Sequence, residues 1–211
     1  MPVPAPHLRP PDVRHALAES ALDLFTTKGY AAATVREIVE AAHVTKPVLY
    51  YYFRSKEGVY LEILQESLDT FRRVLAALPQ DTTRADAALK NLCDTVFVQF
   101  QEHIKVVRLI YATFYGPPQG APSFDFEAFH ELLSQGISHW IDLGIRRRQF
   151  RKGDRQTMTL AVLGAFHVAT EIELIHGKDT VGRKGLSAIL DIVLQGLRAG
   201  QAAKEGFHGK H

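Results

Sequence analysis

The sequence predicts an all-α protein. Apolar residues recur at spacings of three and four from residue 13 to residue 197, strand-like alternation is nearly absent, and Gly or Pro breaks divide the chain into helix-length segments. A chain of 211 residues with 46% hydrophobic and 23% charged residues has ordinary globular composition and room for one or two domains. Lys+Arg 25 against Asp+Glu 23 gives a net charge of +2. That balance excludes a polycation acting through bulk charge and leaves room for a local basic surface. The single cysteine, Cys93, excludes a disulfide framework or a thiolate zinc site within one chain. The longest charge-free apolar stretch, residues 161–170, ends at Glu171, short of the roughly 20 residues that span a bilayer. Residues 1–11 are proline-rich with no apolar run, so no signal peptide, no membrane partner and a cytoplasmic location are expected.

The first helix is predicted over about residues 11–28. Pro11 suits the first turn, where its missing N–H has no intrahelical partner to lose. Ala18, Leu22 and Phe25 form the inward stripe with Ala21 beside them, and Gly29 suits the residue that ends the helix. Thr34-Val-Arg-Glu37 reads as a capping box opening a second helix, with Ile38 and Ala42 inward. His43 and Val44 make a turn, Thr45 caps a short third helix ending near Tyr52, and Ser55 caps a fourth that reaches about residue 77. Further helices are expected over 83–102, 104–115, 124–148, 154–176 and 183–199, with Gly116-Pro-Pro-Gln-Gly-Ala-Pro122 as a loop. Residues 1–10 read as a flexible arm and 200–211 as a frayed tail.

Two helices joined by a tight turn, the second short, make a helix-turn-helix within residues 11–54. Between residues 41 and 56 there is no carboxylate, while Lys46, Arg54, Lys56 and the tyrosines Tyr50, Tyr51 and Tyr52 all fall there. That is the electrostatic footprint of a phosphate-binding face. At 100° per residue Leu49 and Phe53 plug the core, which turns Pro47, Val48, Tyr50 and Tyr51 outward toward a major groove. Thr45 and Lys46 at the helix start, and Ser55 with Lys56 at the next, are expected to clamp phosphates.

Gly29-Tyr-Ala-Ala-Ala-Thr-Val-Arg-Glu-Ile38 and Val44-Thr-Lys-Pro-Val-Leu-Tyr-Tyr-Tyr-Phe-Arg-Ser-Lys-Glu-Gly-Val-Tyr60 strongly resemble the DNA-binding domain of the tetracycline-repressor (TetR) family, over roughly residues 12–65. The resemblance implies that Thr34 and Arg36 lie near the backbone or groove edge, and that Thr45, Lys46, Tyr50, Tyr51 and Lys56 stand at DNA-contacting positions. Pro47 and Val48 depart from the commoner glycine and small hydroxyl residue, and Tyr52 stands where histidine is common. Val48 offers only apolar contact, for instance to a thymine methyl.

The resemblance further implies that residues 55–199 form a ligand-binding and dimerisation domain, with helix 55–77 linking it to the first. Aromatic residues cluster there: Phe71, Phe97, Phe100, Tyr111, Phe114, Phe129 and Trp140. Cys93, His103, Arg108 and His130 interleave as polar groups, the make-up of a small-molecule pocket. For the dimer, the last two helices offer Leu160, Leu163, Gly164, Phe166, His167, Thr170 and Leu174 on one, and Leu186, Ile189, Leu190, Val193, Gly196 and Leu197 on the other. Two such helices per subunit close a four-helix interface about a two-fold axis. The run Arg146-Arg147-Arg148 with Arg151 and Lys152 is read as cations at a helix C-terminus.

No Gly-rich phosphate loop, nucleophile elbow or His-Glu-x-x-His is present in the sequence, and the histidines lack ligand spacing, so no enzyme, cofactor or metal is expected. The expected function is a ligand-responsive regulator, a repressor first, that binds a near-palindromic duplex operator as a homodimer. An activator or a ligand-free architectural protein of the same fold is the alternative, and a small helical enzyme the third.

Overall fold

The computed structural model describes residues 10–79, 82–116 and 120–199. The first nine residues of the expected arm, residues 117–119 of the expected loop and the expected tail lie outside the described residues. Among the described residues are nine helices and no strand: α1 (Pro10–Lys28), α2 (Val35–Ala41), α3 (Lys46–Phe53), α4 (Lys56–Ala76), α5 (Ala85–Glu102), α6 (Ile104–Phe114), α7 (Glu127–Arg146), α8 (Arg155–His176) and α9 (Gly182–Leu197). The helix ends have local causes. Gly29 at φ 83° ends α1, its N–H bonding Phe25 at 3.1 Å, a conformation that glycine adopts without steric cost. Thr34 caps α2 in a full capping box. Asp154 caps α8 through the Thr157 N–H at 2.7 Å.

The described residues divide between two compact units, one within Met1–Arg73 and Phe100–Phe129, the other within Val74–Gln99 and His130–His211. In the first, α1 is buried along Leu17, Ala21, Leu22 and Phe25, while Ala18 lies at the edge of its stripe. Ile38, Leu49, Phe53, Val59, Tyr60 and Leu64 pack onto that face, together with Val106 and Leu109 of α6. A ring trio closes the core: Phe25, Tyr30 and Tyr60 have centroids 5.0–5.7 Å apart.

In the second unit Leu89, Leu92, Phe97, Ile137, Trp140 and Phe166 are buried, and Phe97 meets Phe166 edge-on at 6.5 Å. Cys93 is fully buried among them, and burial pushes its thiol up to about 12, so it behaves as a small hydrophobe. The buried Glu173 carboxylate accepts N–H bonds from Asp179, Val181 and Gly182, each 2.8 Å long, and so fixes the turn between α8 and α9. Helix α8 is long and apolar enough, by length and composition alone, to cross a membrane, a test that the core helix of a soluble protein also meets. Its buried positions, Val162, Leu163, Phe166, Ala169 and Thr170, are those of a core helix.

The residues expected at a dimer interface separate by side. Leu163, Phe166, Thr170, Leu186, Leu190 and Leu197 are buried in the unit's own core, a correction to the expectation that they face a partner. Each lies on the side of α8 or α9 that packs inside the unit. His167, Leu174, Ile189 and Val193 are half-buried; Leu160, Gly164 and Gly196 are exposed. Val168, Ile175 and Ile192, unmarked by the periodicity, are exposed as well.

The capping box makes an acid-range prediction. Glu37 accepts the Thr34 N–H at 2.9 Å and pairs with Lys28 of α1. These contacts, the Lys28 bond first, lower its carboxyl from 4.5 to about 2. A depressed pKa contributes stability that is complete above the unfolded value and is lost as pH falls toward the folded one. Denaturant unfolding of Glu37→Gln is expected to show a deficit against the parent at about pH 6 that shrinks steadily below pH 4.5 and closes near pH 2. A deficit independent of pH would contradict the assignment.

Candidate nucleic-acid interface

Helix α3 has eight residues, too few to persist alone in water. It is fixed by its inner face, where Leu49 and Phe53 are buried. The turn before it uses His43 at φ 54°, with the Val44 N–H reaching Val39 at 2.9 Å. Thr45 adopts the extended N-cap conformation without a side-chain cap bond, so its hydroxyl stays uncommitted, a correction to its expected capping role. After α3, Arg54 takes φ 64° and reverses the chain, and the Ser55 hydroxyl caps α4 through the Gly58 N–H at 3.0 Å. A Cβ on Gly58 would lie 1.9 Å from the Phe53 carbonyl oxygen. Only glycine permits α4 to start that close to α3, a constraint the sequence does not announce.

With its inner face anchored, α3 presents Lys46, Pro47, Tyr50 and Tyr51 to solvent, the two tyrosines 49% and 82% exposed. Val48 departs from expectation: it is half-buried and packs against the core, which limits its reach. Tyr52 is half-buried too, edge-on to Tyr51 at 5.0 Å. Thr34 is exposed, but its hydroxyl donates to Glu37 at 2.7 Å and accepts the Glu37 N–H at 3.3 Å. Arg36, also exposed, lies 3.4 Å from Glu40 one turn on, a solvated pair of small energetic weight.

Lys56 has partners within the protein. Its ammonium donates to the carbonyls of Tyr30 at 2.8 Å and Ala33 at 2.9 Å, and sits 4.2 Å above the Tyr30 ring. Burial lowers its pKa from the ordinary lysine value. Lys56 thereby ties the start of α4 to the loop between α1 and α2. Arg14 of α1 likewise pairs with Glu62 of α4 and stacks 5.5 Å over the Phe53 ring.

The aromatic and polar residues expected around a ligand fall in both units. In the first, Phe71 meets Phe129 at 5.7 Å and Tyr111 meets Tyr115 at 5.5 Å; Phe100 is half-buried, and Phe114, His103 and Arg108 are exposed. In the second, Cys93, Phe97 and Trp140 belong to the packed core, and the exposed His130 lies 5.5 Å from His167. Burial first, and His130 second, hold His167 below the usual imidazole range.

Two lysines ten residues apart therefore have different work. Lys56→Met is expected to lower the unfolding free energy by about 1–2 kcal/mol, since it removes two charge-assisted hydrogen bonds at a half-exposed site. It should leave the salt slope of DNA binding unchanged. Lys46→Ala should leave stability unchanged and flatten that slope by about 0.9. Chemical denaturation and binding isotherms at several salt concentrations check both, and an exchange of the two phenotypes would refute the assignment.

Comparison with known proteins agrees with this geometry. A profile of the bacterial regulatory proteins of the tetR family matches residues 17–63. The activator FasR of Mycolicibacterium smegmatis is 36% identical over 94 residues, 43% of this chain and 41% of that protein. The regulator RutR of Escherichia coli K12 is 37% identical over 68 residues, 32% of each chain. In those matches the chain spans well under two thirds of its relatives' length. The repressor KstR2 of M. smegmatis is 29% identical over 148 residues, covering 68% of this chain and 70% of that one. Among solved structures, PfmR from Thermus thermophilus superimposes with a TM-score of 0.69 at 22% identity, covering 85% of this chain and 97% of that chain. KstR2 of Mycobacterium tuberculosis gives 0.68 at 22% identity, with 89% and 95% covered. Residues 17–63 thus match the DNA-binding domain of the bacterial regulatory proteins of the tetR family, and the solved structures share the fold along most of the chain.

Proposed function

We propose that the protein is a transcriptional regulator, in the first place a repressor, that binds a near-palindromic duplex operator as a homodimer and is released by a small, largely apolar or aromatic effector. One observation carries the reading: a short helix anchored by Leu49 and Phe53 holds Lys46, Tyr50 and Tyr51 outward, on a segment without a single carboxylate between residues 41 and 56. Lys46 and the Thr45 hydroxyl meet phosphates, and the two tyrosines enter the major groove.

One such helix reads too little sequence for specificity, and two copies one helical turn apart (about 34–36 Å) supply the rest. The outer faces of α8 and α9 support that pairing. Leu160, Gly164, Val168 and Ile175 make one exposed stripe at four-, four- and seven-residue steps, with Leu160, Val168 and Ile175 57%, 56% and 66% exposed. Ala188, Ile192 and Gly196 make another, and a Cβ on Gly164 or Gly196 would meet open space. Exposed apolar stripes of this kind mark a covered surface.

The KstR2 structure is named a ketosteroid transcriptional regulator, which supports an apolar effector class; the reading includes a cytoplasmic location and no cofactor, metal or membrane. Activation is the second reading, favoured by the relative FasR, which is named an activator. An operator upstream of the promoter elements rather than over them would establish it.

Selection of bound sequences from random duplexes is expected to return an inverted repeat. The parent should sediment as a dimer, and the double variant Val168→Glu/Ile192→Glu as a folded monomer with much weaker operator binding. A cognate effector should weaken operator binding about 5–150-fold. Recovery of a single unrepeated site, or a dimer indifferent to both glutamates, would refute the proposed assembly.

A further inference from the structure

The turn between α7 and α8 collects positive charge that the helix-turn-helix reading leaves unused. Arg146 at the end of α7, Arg147, Arg148, Arg151 and Lys152 in the turn, and Arg155 at the start of α8 are all exposed. Arg84 and Arg198 join them, because the chain folds back here. The Arg147 guanidinium reaches the Thr82 carbonyl at 2.5 Å, the Arg151 N–H bonds Leu197 at 2.8 Å, and the Ala199 N–H bonds Gln149 at 3.0 Å. The Gln149 side chain donates to Thr83 at 2.5 Å and accepts the Ala85 N–H at 2.8 Å. Beneath, Phe150 is buried against Gly144, where a Cβ would lie 2.2 Å from the ring. The platform is held by backbone bonds and a buried aromatic plug.

Three nearby carboxylates are already committed. Asp86 is shared by Arg84 at 2.8 Å and Arg198 at 3.1 Å, Asp142 pairs with Arg146 at 2.9 Å, and Asp154 caps α8. Among the described residues Arg148 and Lys152 have no ion-pair or hydrogen-bonding partner for their charged groups, and Arg155 has none at contact distance, its charge acting only at longer range on the neighbouring Asp154. Two of them are placed against local preference. Arg148 stands at φ 57°, where glycine or asparagine is cheaper. Arg155 is the first residue of α8, at the positive end of the helix dipole, where a cation is unfavourable. Exposed cations without a close partner at such positions are available to an external anion.

We infer that this corner of the second unit is a separate, sequence-independent binding surface for the phosphodiester backbone of duplex DNA; the inference rests on the reading that the protein works on DNA. A protein partner would need apolar anchors, and none of the large exposed apolar side chains falls between residues 146 and 155. Arg-rich surfaces instead fit phosphate through the planar guanidinium fork.

The test is the full-length triple variant Arg148→Gln/Lys152→Gln/Arg155→Gln. None of its three charges holds the fold, and circular dichroism and the unfolding midpoint verify that. Binding to a random-sequence duplex of about 30 base pairs is measured against salt in the parent and in a Lys46→Glu/Tyr51→Ala background that disables α3. The inference predicts that the triple change lowers the salt slope by about 3 in both backgrounds and leaves base preference intact. An unchanged slope in both would overturn it and leave the α3 reading standing. Loss of all binding in the triple variant, with none in the α3 variant, would uphold the corner and remove α3 as the reader. Binding of poly-glutamate, but not duplex, through these three residues would overturn the inference in favour of an acidic protein partner.

Discussion

An eight-residue helix does not hold its shape in water, and the presentation of α3 rests on overcoming that. Nucleation cost outweighs the few hydrogen bonds so short a helix can form, so its order comes from outside. Leu49 and Phe53 supply it by burial, and fully burying side chains of this size contributes about 1.5–3 kcal/mol each. Once those two face inward, helical geometry leaves Tyr50 and Tyr51 no direction but out. The neighbouring contacts fix where the anchored helix sits. Arg14 stacks on Phe53, Gly58 lets α4 begin against the Phe53 carbonyl, and Lys56 joins α4 to the backbone of the preceding loop. A rigid scaffold carrying solvent-facing side chains is how a groove-reading surface is made.

The electrostatics follow the same division. A net charge of +2 conceals cations with unlike duties. Half-buried Lys56 and Arg14 hold helices together, Lys105 pairs with Asp23 between α6 and α1 at 2.5 Å, and Lys46 is left to solvent. In the second unit Lys90 and Arg183 of α5 and α9 are committed to Asp191 and Asp94, whereas the α7–α8 turn keeps charge in excess of its carboxylates. Counting charges by segment misleads here; which partner each one has decides what it is free to bind.

The element order was readable from the sequence because local rules set it. Helix starts and stops at Thr34, Ser55, Asp154 and Gly29 stand where capping chemistry places them. Leu49 and Phe53 were identified as plugs by their spacing alone. What failed depended on contacts distant in sequence. Lys56 is 26 residues from the Tyr30 carbonyl it binds, and nothing local distinguishes it from an outward phosphate clamp. Helices α8 and α9 are apolar on both sides, so periodicity picked Leu163, Phe166, Leu186 and Leu190, which the unit buries itself, and passed over Val168, Ile175 and Ile192. A two-sided apolar helix has no stripe to read until one side is occupied. The aromatic residues of the middle helices carry no such mark either, since Phe97 and Trp140 satisfy a core as readily as a pocket.

The account stands most directly on where Tyr51 goes when DNA is present. A photoreactive phenylalanine analogue at position 51, irradiated on a selected duplex, should crosslink to a base within the half-site, and methylation of major-groove guanine N7 there should block the crosslink. The same analogue at Phe53, on the inner side of α3, should give none. Crosslinking from position 53 but not 51, or a crosslink indifferent to major-groove methylation, would show that this helix does not enter the groove by the face its anchoring dictates.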